Sequence, residues 1–376
     1  MPIYIDVSAA THRRAGLGRY AESLVRALNE RQTGRWGLLS NRGAGWQPLA
    51  GLEALPSRTV SAGYKAWRMA VYAAQLLGIG FDRLLPDARL FHATEHLLPP
   101  FRHIPTVLTV HDLIFRLFPQ HHKPLNYHYL RLAMPLYCRR ADAVIAISES
   151  TRRDLIGQYG LDPAKVHVIY EAPAPHFAPA PARQVPVVRE RYGLPDRFLL
   201  HVGTLEPRKN LVRLLEALHL LQRMGVTIPL VLVGAKGWLY GTFFRRREEL
   251  GLQEQVRLLG YVPDADLPVL YTGATACVLP SVYEGFGLPA LEAMACGTPV
   301  ACSRTSSLPE LGGEAALYFD PYNVTEMVEA LRRVWEDASL REDMSAAGLK
   351  QAARFSWQRT AEETIRVYDM SLADHP

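Results

Sequence analysis

The stretch FLLHVGTLEPRKNLVRLLEAL, residues 198–218, combines a short apolar run, a polar loop and a longer helical pattern. It predicts a strand ending at Gly203-Thr204, a loop that carries Arg208 and Lys209, and then a helix. Adjacent cations on such a loop can hold a diphosphate, because arginine supplies a planar fork and lysine a mobile point charge. Taken alone, the same residues also fit a solvated basic turn.

Similar apolar runs, each followed by a helical pattern, recur through both halves of the chain. The strand candidates are IYIDVS, GLLSN, LFHAT, TVLTVHD and AVIAIS in the first half, and FLLHVG, LVLVG, VRLLG, ACVLP, PVACS and ALYFD in the second. Strands that are apolar on both faces and separated by helices indicate parallel sheets covered on each side. The fold class predicted is therefore α/β, with two doubly wound, Rossmann-like domains.

The predicted domain boundaries follow from composition. Residues 1–175 form the predicted N-terminal domain, and residues 189–354 form the predicted C-terminal domain. The Pro- and Ala-rich residues 176–188 between them have no periodicity and are predicted to be a linker. The last helix candidate, within residues 355–376, either caps the second domain or returns to the first.

Composition limits the function classes. Residues 1–185 carry 22 Lys and Arg against 13 Asp and Glu, a net charge of +9 that indicates an anionic partner for this half. Nucleic acid is disfavoured because no zinc-ligand spacing, RNA-binding aromatic pattern or basic zipper occurs. Four scattered cysteines without a C-x-x-C pair, no signal-peptide pattern and no apolar run near 20 residues fit a cytoplasmic protein without a membrane span.

The sequence GLGRYA, residues 16–21, follows a strand and precedes a helix, as in a dinucleotide-binding loop. About ten residues separate Asp6 from Gly16, and no acid ends the second strand candidate, so NAD is improbable. Gly16 and Gly18 can still bring the backbone and a helix N-terminus close to a phosphate. The alternative is a tight turn without a ligand.

The stretch PSVYEGFGLPALEAMACGTPV, residues 280–300, contains Glu284, a Gly-rich loop and Glu292. Pro289 suits the first turn of a helix. Two carboxylates at fixed separation can each take a pair of vicinal sugar hydroxyls. Glu292 lies in an otherwise apolar helix, where a buried carboxylate needs a partner, and this favours a ligand.

With GLGRY, HDL, GTLEPRKN, GYVPDADLPVLY and the two glutamates, the chain resembles the retaining glycosyltransferases of family 4, over nearly its whole length. The resemblance implies a GT-B fold, with two Rossmann-like domains facing across a cleft, the N-terminal one binding the acceptor and the C-terminal one the nucleotide-sugar. The chain is similar to the bacterial mannosyltransferases that build O-antigen and other surface polysaccharides, and this similarity implies a nucleotide-sugar donor. The expected donor is GDP-mannose, with UDP-, dTDP- or ADP-sugars as alternatives, and the expected acceptor is a glycan or lipid-linked glycan.

The resemblance also implies site roles. Arg208 and Lys209 would neutralise the diphosphate, Glu284 would contact the donor sugar, Glu292 the ribose, and His111 the reacting sugar. Without the resemblance, a hydrogen-bonded histidine at a strand end is the preferred interpretation of His111-Asp112. The other donor-binding residues expected are Gly16, Gly18, Gly203, Tyr261, Val262, Gly285, Phe286, Gly287 and Leu288.

The sequence also leads to expectations about metal ions, membrane contact and alternative functions. The cationic pair replaces a metal, so no metal ligands and no divalent requirement are expected, and Asp264 and Asp266 are expected to cap a helix. The helix candidate within residues 64–78 carries Tyr64, Lys65, Trp67 and Arg68 near its start, which suits either an anionic membrane surface or core packing. A GT-B-type epimerase or hydrolase and a non-catalytic binding subunit are the remaining alternatives.

Overall fold

The computed structural model contains two parallel β-sheets, and α-helices lie between many of their strands along the chain. The structure describes residues 1–14, 16–43, 45–121 and 123–375. The chain divides into two units. Unit 1 comprises Met1–Glu171 together with Ser356–Pro376, and unit 2 comprises Ala172–Phe355. The boundary therefore lies at residues 171 and 172, a few residues before the predicted end at residue 175, and the last helix belongs to unit 1.

Unit 1 alternates strands with helices, except that the described residues place no α-helix between its second and third strands or between its fourth and fifth strands. Its elements are β1 (Ile3–Asp6), α1 (Ser8–Thr11), α2 (Leu17–Arg31), β2 (Trp36–Asn41), β3 (Ser57–Val60), α3 (Tyr64–Leu77), β4 (Leu90–Ala93), β5 (Thr106–Val110), α4 (Ile114–Leu117), α5 (Pro124–Arg140), β6 (Ala143–Ala146), α6 (Glu149–Tyr159) and β7 (Val166–Val168).

Unit 2 repeats this alternation, and the chain then ends in unit 1. The elements of unit 2 are α7 (Gln184–Tyr192), β8 (Leu199–Val202), α8 (Leu211–Arg223), β9 (Leu230–Val233), α9 (Gly241–Glu249), β10 (Val256–Gly260), α10 (Leu267–Gly273), β11 (Ala276–Leu279), α11 (Leu288–Ala295), β12 (Val300–Ser303), α12 (Leu308–Gly312), β13 (Ala316–Phe319), α13 (Val324–Glu336) and α14 (Ala338–Ala352). The final helix, α15 (Trp357–Ala373), packs on α2 of unit 1.

The strand order gives each sheet one point where the direction of winding reverses. The unit 1 sheet runs β3-β2-β1-β4-β5-β6-β7, so the reversal lies between β1 and β4. The unit 2 sheet runs β10-β9-β8-β11-β12-β13, with the reversal between β8 and β11. Connections leave such neighbouring strands in opposite directions and open a crevice at their carboxyl ends, where ligands of open α/β sheets bind.

Helix α15 is built into unit 1 through aromatic and polar contacts. The Tyr368 ring lies 6.2 Å from that of Trp36, and its hydroxyl group hydrogen-bonds Nδ1 of His92 at 2.6 Å. Thr360 donates a 2.7 Å hydrogen bond to the carbonyl oxygen of Tyr170. Because Tyr368 and His92 are fully buried, the last helix completes the core of this unit.

The predicted linker, residues 176–188, is partly regular and packed. Its last five residues lie in α7, with Pro186 in the first turn, where a missing N–H is tolerated. Phe177 is buried, with its ring 6.0 Å from that of Tyr271, and Val188 is buried as well. The prediction of an irregular linker is therefore wrong for residues 184–188, and the rest of the segment is anchored to unit 2 by Phe177.

Among the residues that the structure describes, no helix combines the length and apolar character needed to cross a membrane.

Candidate active site

Two loops of unit 2 leave neighbouring strands at the point of reversal, residues 203–210 after β8 and residues 280–287 after β11. The first loop approaches the end of β9 very closely. A Cβ atom on Gly234, which has φ +143°, would lie 2.1 Å from the carbonyl oxygen of Gly203. Glycine at position 234 therefore lets the two backbones touch. A Cβ atom on Gly203 would lie 3.3 Å from Cε of Lys209, so this glycine faces the lysine.

Glu284 is the centre of a buried ion-pair cluster that joins the two loops. Its Oε1 accepts hydrogen bonds of 2.6 Å from Nζ of Lys209 and from the hydroxyl group of Ser281, and its Oε2 accepts one of 2.6 Å from Nη1 of Arg208. The other terminal nitrogen of Arg208 lies 2.6 Å from Oε1 of Glu206. The structure thus brings together three residues that the sequence predicts for the site: Arg208, Lys209 and Glu284.

The charges of this cluster are largely buried, and the positive side chains are paired with negative ones. Burial alone would raise the pKa of Glu284, but Lys209, Arg208 and the hydrogen bonds to Lys209 and Ser281 hold that pKa far below its usual range. Burial and the neighbouring Arg208 lower the pKa of Lys209, against the attraction of Glu284 and Glu206. The two cations are balanced by the two carboxylates, so an anion that binds the cations meets them with much of their charge already offset.

The Gly-rich loop that follows Glu284 is held at the start of α11. Gly287 has φ +112°, and a Cβ atom there would lie 2.8 Å from Cδ2 of Leu308, so a side chain would be strained by both backbone and packing. Ser307 donates hydrogen bonds to the carbonyl oxygens of Glu284 and Phe286. With Gly285 between them, these contacts fix the loop before Leu288, the first residue of α11.

Glu292 has a protein partner. It is 4 % exposed, and its Oε2 accepts a 2.9 Å hydrogen bond from the hydroxyl group of Tyr271. The premise that a buried carboxylate here needs a partner therefore holds, but Tyr271 supplies one. The predicted ribose contact remains a prediction.

Tyr261 and Val262 follow β10, the edge strand of the unit 2 sheet, and differ strongly in exposure. Tyr261 is 78 % exposed, whereas Val262 is buried at 2 %. The expectation that Asp266 caps the next helix is wrong, because its carboxylate accepts hydrogen bonds from Nη1 of Arg191 at 2.8 Å and from the hydroxyl group of Tyr192 at 2.7 Å. Asp266 therefore ties α10 to α7, and its own side chain does not cap α10.

His111 lies at the carboxyl end of β5 in unit 1 with both ring nitrogens engaged. Nε2 is 2.9 Å from the carbonyl oxygen of Thr94, and Nδ1 is 3.2 Å from Oε1 of Glu171. The Tyr20 ring meets the imidazole edge-on, with centroids 4.8 Å apart. Since both neighbours are acceptors, only the doubly protonated ring makes both bonds. Burial lowers the pKa of His111, but the hydrogen bond and charge of Glu171 outweigh it, so that the pKa is raised.

Gly16 and Gly18 differ in their surroundings. Gly16 has φ +65°, and a Cβ atom there would meet no atom of the described residues within 4 Å, its two chain neighbours apart, which is the environment of an open turn. A Cβ atom on Gly18 would lie 2.9 Å from the carbonyl oxygen of Ala9 and 3.3 Å from Cα of Ala10. Gly18 therefore lets α2 pack directly on α1, a structural requirement that the sequence does not reveal. Its phosphate contact stays a prediction.

The start of α3 is engaged within unit 1. The guanidinium groups of Arg14 and Arg68 lie 3.7 and 5.2 Å from the centre of the Tyr64 ring, and the buried Trp67 stacks on Phe81 with centroids 5.5 Å apart. The core-packing alternative is thus correct for Trp67. Because Trp67 is buried, a membrane contact of α3 would fall to its exposed residues.

Sequence reasoning missed several polar residues that the structure places at the strand ends. They are Asp6, Glu95, Glu171, His201 and Ser281. His201 is the third residue of the four-residue β8, and the other four end a strand or lie within three residues after one. A polar residue at the carboxyl end of a parallel strand is the signal that could have identified those four. His201 is fully buried, and burial lowers its pKa to about 4.

Two family models match the chain. The model described as "Glycosyltransferase Family 4" matches residues 14–172, and "Glycosyl transferases group 1" matches residues 188–351. The first range corresponds to most of unit 1 and the second to most of unit 2. Both the predicted loops of unit 2 and the Gly16 loop of unit 1 fall within the matched residues.

Individual relatives support the same family. The O-antigen chain mannosyltransferase B of Escherichia coli is 35 % identical over 283 residues, which is 75 % of this chain and 74 % of that protein. The serotype-specific mannosyltransferase WbdA of Escherichia coli is 32 % identical over 273 residues. Those residues are 71 % of this chain but 34 % of WbdA, so the chain spans about a third of that protein's length.

A solved structure shows the same fold at low sequence identity. The Anabaena protein Alr3699/HepE, crystallised in complex with UDP and glucose, superposes with a TM-score of 0.75 and 19 % identity, covering 98 % of this chain and 99 % of that one. Two parallel sheets of seven and six strands are the architecture of GT-B glycosyltransferases. The chain is therefore a GT-B protein and belongs to the family 4 glycosyltransferases.

Proposed function

We propose that the protein is a retaining, metal-independent hexosyltransferase that moves mannose from GDP-mannose to a glycan or lipid-linked glycan in surface polysaccharide biosynthesis. The observation that carries the proposal is the buried cluster of Arg208, Lys209 and Glu284 at the point of reversal in unit 2. Mannose as the sugar is supported by the names of the two Escherichia coli relatives. The donor base rests on the resemblance alone.

The balanced charges of the cluster suggest how a donor binds. Arg208 and Lys209 are neutralised by Glu206 and Glu284 through contacts of 2.6 Å. A diphosphate that takes over these cations releases Glu284 from its ion pairs, and its carboxylate can then accept hydrogen bonds from sugar hydroxyls. In this proposal, Arg208 and Lys209 exchange Glu284 for the diphosphate, and Glu284 exchanges the cations for sugar hydroxyls.

The same cations would act in the reaction. The bond between the anomeric carbon and the β-phosphate oxygen breaks, and a bond from the acceptor oxygen to the anomeric carbon forms on the same face. The acceptor's proton goes to the departing phosphate oxygen. Negative charge grows on the diphosphate as the bond breaks, so Arg208 and Lys209 stabilise the transition state more than the ground state.

Other residues keep the roles that the family resemblance implies. His111, which the structure holds with a raised pKa, would face the reacting sugar, and Glu292 would bind the ribose. The remaining donor contacts proposed are Gly16, Gly18, Gly203, Tyr261, Val262, Gly285, Phe286, Gly287 and Leu288. The exposed Tyr261 ring is available to stack on a base.

Peripheral contact with an anionic membrane is the finer part of the proposal. Helix α3 and the residues just after it expose large apolar side chains at Met69, Leu76, Leu77 and Ile79. The helix also carries Lys65, which is exposed. Apolar side chains beside a cation suit the interface of an anionic bilayer, where a lipid-linked acceptor would reside. Flotation with liposomes that lack and contain anionic lipid tests this contact, and equal recovery with both would contradict it.

One assay separates the proposal from its alternatives. The protein is incubated with GDP-mannose, UDP-glucose, dTDP-glucose or ADP-glucose, each with and without a mannose-terminated oligosaccharide, in buffer containing EDTA. We expect GDP-mannose to be consumed only with the oligosaccharide and to give an α-linked product. Donor loss without an acceptor would indicate a hydrolase or epimerase, and a β-linked product would contradict retention. A turnover that EDTA abolishes and magnesium restores would contradict metal independence.

A further inference from the structure

Unit 1 has its own pair of buried carboxyl groups at its point of reversal. Asp6 is the last residue of β1, and Glu95 comes two residues after the end of the neighbouring β4. Asp6 is 3 % exposed and Glu95 is 2 % exposed. This is the position in the unit 1 sheet where the strand order opens a crevice, as β8 and β11 do in unit 2.

One carboxyl oxygen of this pair, Oε1 of Glu95, accepts no hydrogen bond from the residues that the structure describes. Oε2 of Glu95 is 2.8 Å from Nη1 of Arg14, and Oδ1 of Asp6 accepts a 2.8 Å hydrogen bond from the backbone N–H of Ser8. Oε1 of Glu95 is buried and has no hydrogen-bond partner within residues 1–14, 16–43, 45–121 and 123–375. A buried carboxyl oxygen without a partner is costly, which indicates that a ligand supplies the missing donor.

The charges around Glu95 come from several elements. Those that act on its titration are Asp6 from β1, Arg14 from the loop before α2, Arg68 from α3 and His111 from the end of β5. Tyr64 of α3 lies against Arg14 and also interacts with Glu95. Burial and the like charge of Asp6 raise the pKa of Glu95 to about 7, although Arg14, Arg68 and His111 act against the rise.

The residue types define the class of ligand. Arg14 and Arg68 are offset by the two carboxyl groups, and His111 is paired with Glu171, so no surplus positive charge remains to hold a phosphate. The same cations disfavour a divalent cation between the carboxyl groups. A neutral group that donates hydrogen bonds satisfies the site without adding charge, and sugar hydroxyls do this. The planar guanidinium group of Arg14, which stacks on the Tyr64 ring, provides a flat surface next to the Glu95 carboxyl group.

We propose that Asp6 and Glu95 bind hydroxyl groups of the acceptor sugar, with Oε1 of Glu95 accepting a hydrogen bond from one of them. The acceptor's identity as a sugar rests on the proposed function, whereas the site rests on the geometry of unit 1. A hydroxyl group that donates a hydrogen bond stabilises the ionised carboxylate of Glu95. The acceptor therefore binds better when Glu95 is ionised. The acceptor affinity therefore rises with pH until Glu95 is fully ionised.

The experiment measures binding of α-mannobiose to the full chain by ligand-observed NMR between pH 6 and pH 8.5, and binding of GDP in parallel. For the wild type, we expect the dissociation constant for mannobiose to be about tenfold higher at pH 6 than at pH 8, as follows for a single group titrating near 7. Glu95→Gln should weaken mannobiose binding at pH 8 and lose this pH dependence. Asp6→Asn should weaken binding and move the midpoint to lower pH, because a like charge is removed.

The control is Glu22→Gln, at a partly exposed position of α2, where the carboxylate contacts only Arg26 among the ion pairs of the described residues. It should bind mannobiose as the wild type does. GDP binding should be the same in all four proteins, which shows that unit 2 is folded, and a cooperative thermal unfolding transition at the assay pH checks that unit 1 is folded as well. An unchanged affinity and pH profile in both Glu95→Gln and Asp6→Asn would overturn the proposal, as would a wild type that binds GDP but not millimolar mannobiose. A wild type that binds mannobiose but no sugar nucleotide would instead contradict the proposed function.

Discussion

Nζ of Lys209 and Oε1 of Glu284 lie 2.6 Å apart in the interior of unit 2, although 75 residues separate them in the sequence. Each comes from a loop at the carboxyl end of a strand, and the two strands are neighbours at the point of reversal of the sheet. Lys209 is 5 % exposed and Glu284 is 6 % exposed. This contact joins the residues that we propose for the diphosphate and for the donor sugar.

Glu284→Gln should reduce both stability and transfer, yet enlarge the stabilisation by GDP. The substitution leaves Lys209 buried without its full counter-charge, which costs about 3 kcal/mol in free energy of unfolding. A diphosphate then meets two cations that are no longer neutralised by Glu284. Thermal unfolding with and without GDP checks this, and a smaller GDP-induced shift in the variant than in the wild type would contradict the exchange of partners.

Arg208→Lys should inactivate the enzyme even though it keeps the charge. Arg208 uses one terminal nitrogen for Glu284 and the other for Glu206, a geometry that a lysine does not reproduce. We expect kcat to fall about 100-fold, as for the loss of one transition-state donor. Arg223→Lys, at the exposed end of α8, is the matched control and should keep wild-type kcat. Equal rates for the two variants would argue against a catalytic role of Arg208.

Gly18→Ala and Gly16→Ala should both destabilise the protein, for different physical reasons. The added methyl group at position 18 meets the backbone of Ala9 at 2.9 Å, so α1 and α2 must separate, at about 1–3 kcal/mol. At position 16 a Cβ atom meets no atom of the described residues within 4 Å, its chain neighbours apart, so the cost comes from the backbone, whose φ +65° and ψ −81° cost a side chain about 1–3 kcal/mol. Urea unfolding of both variants measures the two costs. An unchanged stability of Gly18→Ala would show that α1 and α2 accommodate the methyl group.

The contact between His111 and Glu171 should make stability depend on pH. The pKa of His111 is raised in the folded state, so its ion pair stabilises fully below the unfolded value near 6.5 and is lost as the pH rises through the folded value. Glu171→Gln should therefore destabilise the protein most at pH 6 and least at pH 9. Urea unfolding at both pH values tests this, and a difference that grows with pH would show that His111 is neutral in the folded protein.

Central strands could be predicted from the sequence, whereas two edge strands could not. The apolar runs that flank each point of reversal all form strands. Ser57–Val60 and Val166–Val168 were missed because they lie at the two edges of the unit 1 sheet, where one neighbour is absent and polar or exposed side chains are tolerated. Helix α7 was missed because Pro and Ala dominate the stretch before it.

The site was predictable in its residue types but not in its contacts. The loops marked Arg208, Lys209 and Glu284 as candidates, because charged residues follow apolar strands there. Their mutual ion pairs depend on which strands are neighbours, and the strand order is a tertiary property. The partners of Glu292 and His111, namely Tyr271 and Glu171, come from distant segments for the same reason.

The central claim is that Arg208 and Lys209 bind the diphosphate of the donor, and calorimetric titration of GDP in EDTA tests it most directly. Wild-type protein and Lys350→Met, changed on the exposed side of α14, should bind GDP equally. Lys209→Met should bind GDP about ten- to hundredfold more weakly, since one charge-assisted hydrogen bond is lost. Equal GDP affinity in Lys209→Met and the wild type would contradict the account.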